Sequence, residues 1–248
     1  MPTPARSRSR EAREPAPATT SAISVIADAD EPRIRRLLMR RDPRLAGLIK
    51  RVGPCRLTES RTRHPFVSLV RALTSQQLST KAAATIFGRV VDLVGGIDRM
   101  RPDALLAVDP ARLRAAGLSN QKVAYVRDLA AHVADGRLNL DLAHLAAQSD
   151  EAIERAITGV KGFGRWSAEM FLMFQLGRAD IFPVGDLGIV KGVQLLLGMK
   201  GRPAPRTMLR AAEAWRPYRS VAAWYLWRLV EAPPMVDDKR NGRRARSV

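Results

Sequence analysis

Beyond about residue 23, apolar residues recur at spacings of three and four, with polar residues filling the positions between. That is the period of an amphipathic α-helix, whose buried stripe comes round once per turn. Ile34, Leu37 and Leu38 lead into DPRLAGLIKRVG, and FVSLVRALTSQQ is followed by STKAAATIFGRVVDLVGG. The shorter stretches RPDALLAV, DPARLRAAG and DLAHLAAQ share the spacing, as does SNQKVAYVRDLAAHVADG, where Ser119 or Asn120 is placed as the cap. Each is bounded by Gly, Pro or a capping residue. Sustained strand-like alternation is missing, with DIFPV the ambiguous segment. The pattern predicts an all-α protein with short connections, one compact unit with two helical lobes.

One stretch interrupts this pattern in a specific way. SDEAIERAIT reads as a short helix with Ser149 or Asp150 as N-cap and acidic residues in its first turn, ended by Gly159. After GVKGFG, the run RWSAEMFLMFQLG resumes at once as a helix, with Trp166, Met170, Phe171, Met173 and Phe174 near helical spacing and Gly177 as its C′ residue. Two short helices joined by a glycine hairpin can grip a phosphate. Gly162 and Gly164 are free to adopt angles closed to other residues and leave room for close approach. The unpaired amides and positive dipole end of the second helix point at whatever sits there.

Charge gives such a hairpin a partner. The chain of 248 residues carries 42 basic against 24 acidic side chains, a net charge of +18. Residues 1–14 hold four Arg against two Glu, and residues 237–248 hold five basic against two acidic residues, so +13 remains on the body. A field of that size attracts polyanions such as nucleic acid. Residues 1–22 and 236–248 read as disordered basic tails, leaving 23–235 as the folded domain. The N-terminal stretch lacks an apolar h-region, and no apolar run approaches a membrane span. The one cysteine, Cys55, excludes an internal disulfide and a Cys-ligated cluster or zinc site, and suits a reducing compartment.

GVKGFGRWSA resembles the helix-hairpin-helix of DNA repair glycosylases, roughly apolar-x-G-apolar-G-x-x-[ST]-A. Such proteins carry a Gly/Pro-rich loop and an aspartate soon after the second helix, matched here by IFPVGDLGIVKG with Asp186. The similarity extends to LTSQQLSTKAAATIF and to WRPYRSVAAWYLW, covering roughly residues 60–230. Within this superfamily the chain is most similar to the alkyladenine branch, 3-methyladenine DNA glycosylase II, in a compact form without the separate N-terminal β-rich lobe. The resemblance implies a cleft between a lobe from about 70–180 and a lobe from about 23–69 plus 181–235.

It also implies roles for residues. Members that cleave the strand carry a lysine two residues after the second hairpin glycine, and Trp166 stands there, so a monofunctional enzyme leaving an abasic site is expected. Asp186 is the catalytic carboxylate, stabilising an oxocarbenium-like sugar or aligning water, and it can also cap the following helix. Trp166, Trp227, Gln76, Met170 and Leu187 are expected to line the base pocket. An electron-rich indole face favours a cationic alkylpurine. Trp215 and Trp224 are placed in the core. Flipping a base leaves a gap, and Gln77, with Leu78 as the alternative, is expected to fill it. Gly162, Gly164, Arg165, Ser167 and Lys122 are expected at DNA phosphates. The carbonyls of Thr158, Val160 and Phe163 are the candidate holders of a monovalent cation, Na+ or K+, and no iron–sulfur cluster or other cofactor is expected. His64, His132 and His144 lack metal or triad spacing. The expected partner is duplex DNA with a damaged base, bound by a monomer, in the bacterial cytoplasm at the nucleoid or in a eukaryotic nucleus. Two rival readings remain open: a monofunctional glycosylase for uracil, mismatched thymine or oxidised guanine, and a non-catalytic DNA-binding module.

Overall fold

The computed structural model describes residues 25–231 apart from 28, 29, 60 and 63; both expected tails lie outside the described residues. Helices account for nearly all the regular structure: α1 Glu31–Arg41, α2 Pro43–Val52, α3 Pro65–Ser75, α4 Thr80–Leu93, α5 Pro102–Ala107, α6 Pro110–Ala115 and α7 Asn120–Ala134. There follow α8 Leu142–Ala147, α9 Asp150–Thr158, α10 Arg165–Met170, α11 Leu187–Leu196, α12 Pro205–Ala212 and α13 Arg219–Glu231. Extended pairing among the described residues is one isolated bridge, Val25 to Arg178, and the ambiguous DIFPV segment is a loop. None of the helices is long and apolar enough to cross a membrane.

The punctuation works as the residue types dictate. Ser79, Ser119 and Ser149 each accept a hydrogen bond from the amide three residues on, so Ser119 rather than Asn120, and Ser149 rather than Asp150, are the caps. The segment after the hairpin departs from the sequence expectation of one regular helix. α10 runs directly into a π-helical stretch, Phe171–Leu176, before Gly177 closes it in the left-handed conformation at φ 68°. Phe171, Leu172, Met173 and Gln175 are all buried there. The wider turn carries one extra residue and suits a stretch enclosed on nearly every side.

Packing sorts the helices into two lobes. α3 to α10 pack on one another, with α7 as the shared support for α3, α5 and α6. α1, α2, α11, α12 and α13 pack together, α13 lying across both α2 and α11. α3 packs on α4, α7 and the stretch after α10. Trp215 and Trp224 lie in the core, as expected, 0% and 8% exposed. Trp215 Nε1 donates to Asp42 Oδ2 at 3.0 Å, while the Arg44 amide and guanidinium donate to both Asp42 oxygens at 3.0 Å.

Burial pushes the Asp42 carboxyl up, but the hydrogen bonds from Arg44 and Trp215 together outweigh it and hold the group below its ordinary value. A depressed folded-state pKa stabilises the fold above the unfolded pKa and loses that contribution as pH falls through the folded value. Asp42→Asn is therefore expected to cost about 1–3 kcal/mol at neutral pH. Thermal melts between about pH 7 and pH 2 should show the wild-type advantage shrinking once the pH drops below about 4.

Candidate active site

α9 and α10 form the expected hairpin, each pinned by a different constraint. At Gly162 φ is +88°, and a Cβ would stand 2.3 Å from the Tyr125 ring of α7, so both backbone and space require glycine. Gly164 departs from expectation: at φ −114° and ψ −179° it is extended, a conformation open to any residue. A Cβ on Gly164 would meet nothing within 4 Å. What its missing side chain contributes is an open approach to the first amides of α10. The α7 helix backs the hairpin a second time, with Asp128 Oδ2 accepting from the Lys161 amide at 2.9 Å. Ser167 is half-buried on the first turn of α10. Arg165 is largely exposed, its Nε turned to Glu169 at 3.1 Å and Glu154 at 3.8 Å.

Asp186 lies where the lobes meet, at the N-terminus of α11. Oδ1 accepts from the Ile189 amide at 2.8 Å, which makes Asp186 the helix cap, and from Trp227 Nε1 of α13 at 2.9 Å. Oδ2 accepts from Trp166 Nε1 of α10 at 2.7 Å. Three N–H donors from three helices thus hold one carboxylate, and Oδ2 retains capacity for a further donor. The approach of α13 depends on Gly188, where a Cβ would lie 2.7 Å from Trp227 Cδ1 and 3.0 Å from Asp186 Oδ1.

A cavity of about 890 Å³ opens between α3 and α10, linked to this carboxylate through Trp166. Trp166 forms part of its wall, so one indole both faces the cavity and binds the carboxylate; the residue is 52% exposed. Gln76, Met170 and Ser167 line the cavity too, and Gln77 stands at its edge. Two expected lining residues do not reach it. Trp227 sits behind Phe174, stacked on that ring at 5.6 Å between centroids, and it is Phe174 that faces the cavity. Leu187 projects into solvent, 71% exposed, from the first turn of α11.

The gap-filling candidates occupy a tight turn. Leu78 N donates to Ser75 O at 3.3 Å, Gln76 has φ −53° and ψ 133°, and Gln77 has φ +58°. These are type II angles, with glutamine where the turn prefers glycine. Gln77 and Leu78 are both exposed. Lys122, expected at a phosphate, reaches the end of α3. Its ammonium turns inward and donates to Thr74 O at 2.8 Å and Gln76 O at 2.6 Å, the carbonyls that the end of α3 leaves unpaired.

Sequence reasoning passed over three residues around this site. Phe174 was placed by helical spacing but not as the wall in front of Trp227. Arg71 reads as a solvated helix position, yet it lines the cavity with its guanidinium 4.5 Å from the Phe87 ring centroid. Glu169, 5% exposed and paired with Arg165, is the one acidic residue of the RWSAEMFLMF run, which is the signal that marks it. Burial raises its carboxyl above the ordinary value, with Arg165 offsetting part of the shift. Among the described residues no cluster of His, Cys, Asp and Glu is placed to hold a metal ion.

With this arrangement in view, comparison with known proteins is specific. Residues 70–217 match the HhH-GPD superfamily base excision DNA repair protein family. DNA-3-methyladenine glycosylase 1 of Schizosaccharomyces pombe is 35% identical over 182 residues, covering 73% of this chain and 79% of that protein. The crystal structure of a DNA-3-methyladenine glycosidase from Bacillus halodurans superposes with a TM-score of 0.71 at 38% identity, covering 79% of this chain and 88% of the other. The S. pombe 3-methyladenine DNA glycosylase in complex with abasic DNA gives 0.70 at 31%, covering 81% and 97%. On these matches the chain belongs to the HhH-GPD superfamily of base excision DNA repair proteins.

Proposed function

We propose that this protein is a monofunctional DNA glycosylase that hydrolyses the N-glycosidic bond of alkylated purines in duplex DNA, of the 3-methyladenine and 7-methylguanine type, leaving an abasic site. The observation that carries the reading is a carboxylate, Asp186, held by three N–H donors, one of them from Trp166, the indole that also walls a cavity large enough for a purine. The names of the relatives, and the abasic DNA bound by one of them, support both the activity and the partner.

In this reading the damaged nucleotide rotates out of the helix, at a cost smallest where pairing is already weak, and its base enters the cavity against Trp166. The alkylated purine is a cation, and the indole face attracts it by stacking and cation–π interaction. As the bond from C1′ to the base nitrogen breaks, its electron pair leaves with the base, which departs neutral, and positive charge gathers on the sugar. The Asp186 carboxylate stabilises that charge, and water adds to C1′ and gives up its proton to solvent. Trp166 offers no amine, so no Schiff base with the sugar forms and the strand stays intact. Gln77 or Leu78 fills the vacated stack, and the hairpin at Gly162, Gly164, Arg165 and Ser167 holds phosphate through backbone amides and side chains. The hairpin also suits a monovalent cation such as Na+ or K+. The Val160 carbonyl accepts from the Phe163 amide at 3.2 Å and keeps a lone pair, while no backbone donor is seen at the Thr158 and Phe163 carbonyls among the described residues.

The decisive experiment is mass spectrometry of the bases freed from methylated DNA, beside duplexes containing uracil or 8-oxoguanine. Release of 3-methyladenine and 7-methylguanine is expected, and Asp186→Asn should lower it by about 10²–10³-fold, the range for removing one electrostatic stabiliser. Release of uracil alone would move the protein to another substrate class, and undiminished release by the variant would remove Asp186 from the chemistry.

A finer prediction separates the two indoles. Trp227→Phe keeps an aromatic ring against Phe174 but deletes one donor to Asp186, so kcat should fall by about tenfold with little change in DNA affinity. Trp166→Phe removes a donor and weakens the cavity wall, so KM for the damaged duplex should rise as well. Steady-state kinetics on one methylated duplex distinguishes these patterns.

A further inference from the structure

The turn after α3 is in a conformation its sequence does not favour. Gln77 holds φ +58° without being glycine, and such residues persist only where their surroundings over-determine them. Three contacts do so. Lys122 Nζ reaches Thr74 O and Gln76 O on either side of the last turn of α3. Gln76 Nε2 donates to Gly162 O of the hairpin at 2.9 Å. Along the same helix, Tyr125 packs against Gly162 and Asp128 binds the Lys161 amide. One face of α7, from Lys122 to Asp128, therefore touches both the turn and the hairpin, and the Gln76 side chain joins the two directly. Partial desolvation pushes the Lys122 ammonium down from its ordinary value, in keeping with a group turned away from bulk water.

We infer that Lys122 is a positioning residue, a strut that holds the Gln77–Leu78 turn in its inserting conformation and ties it to the hairpin. Phosphate grip and gap filling then advance into DNA as one body. The inference rests on the reading of Gln77 or Leu78 as the gap filler. It assigns Lys122 no contact with DNA. The three roles open to this side chain predict different results. A strut controls how well a stacked base is displaced, a phosphate ligand controls affinity and its salt dependence, and a purely structural lysine controls stability alone.

The test uses the full chain and its Lys122→Met and Lys122→Arg variants. The first probe is a duplex bearing a tetrahydrofuran abasic analogue with 2-aminopurine as the opposing base. Its fluorescence at saturation reports insertion into the stack whether or not the protein releases any base. The second compares release of 7-methylguanine from a fully paired duplex and from an unpaired bulge, where little displacement is needed. For Lys122→Met we expect a reduced fluorescence change and release from the paired duplex lowered by roughly tenfold, as for lost hydrogen bonds to a charged group, with the bulge affected by less than about twofold. The slope of log affinity against log salt should stay as in the wild type, and Lys122→Arg, which can donate to both carbonyls, should recover most of the fluorescence change.

An unchanged fluorescence amplitude in Lys122→Met overturns the inference, as does equal loss on the paired and bulged substrates. A slope reduced by about one with unchanged amplitude would make Lys122 a phosphate ligand instead. Should Lys122→Met fail to fold, Lys122→Gln keeps one donor, and a wild-type amplitude in that variant overturns the inference equally. Failure of the wild-type chain to release any alkylpurine, with the fluorescence pattern intact, would count against the proposed activity and leave the strut standing.

Discussion

The carboxylate of Asp186 imposes the condition that the rest of the site satisfies. A charged oxygen pair drawn partly out of water at the meeting of two lobes is tolerated only when its lone pairs are occupied by well-placed donors. Here the donors come from α10, from the first turn of α11 and from α13, so one side chain sets the relative position of three helices. The arrangement reaches outward from there. α13 approaches closely enough because residue 188 has no side chain, Phe174 stacks on the ring that α13 delivers, and the widened stretch after α10 carries Phe174 to that position. The hydrogen bonds that hold this carboxylate and the packing of the lobes thus share atoms, and neither changes without the other.

The hairpin and the turn after α3 extend the same logic to DNA. Neither is a free loop. α7 buttresses both, through Tyr125 and Asp128 on the one side and Lys122 on the other, and the Gln76 side chain closes the bracket. For the DNA binding proposed above, parts made rigid in advance leave less ordering to occur on binding.

Much of this was legible in the residues. The helical period gave the all-α class, and serine caps and glycine ends marked most boundaries. G-F-G marked the hairpin through its backbone geometry, and the resemblance to DNA repair glycosylases supplied the aspartate one loop later. Trp215 and Trp224 read as core and are buried. What sequence did not show was direction across a gap. Lys122 lies near a helix N-terminus, where an outward ammonium and one folded onto the end of α3 have the same local pattern; the carbonyls it serves are 48 and 46 residues away. Trp227 is a pocket residue by type, yet tertiary packing sets Phe174 in front of it. Leu187 follows the key aspartate and was expected inward, but its neighbour caps the helix and the first turn carries Leu187 outward. The π-helical widening has no signature in the spacing of three and four, because it shows only once the run is enclosed.

Gly188 draws these strands together. Any side chain there would collide with the Trp227 indole and crowd the oxygen of Asp186 that the indole binds. A lineage keeping the indole must therefore keep the glycine, and a lineage that fills position 188 must first find another way to serve the carboxylate. Positions 188 and 227, on different helices and 39 residues apart, amount to a single heritable choice. A side chain at 188 alone crowds both the indole and the carboxylate, and loss of the indole alone leaves Asp186 with two of its three donors, so the two positions constrain each other.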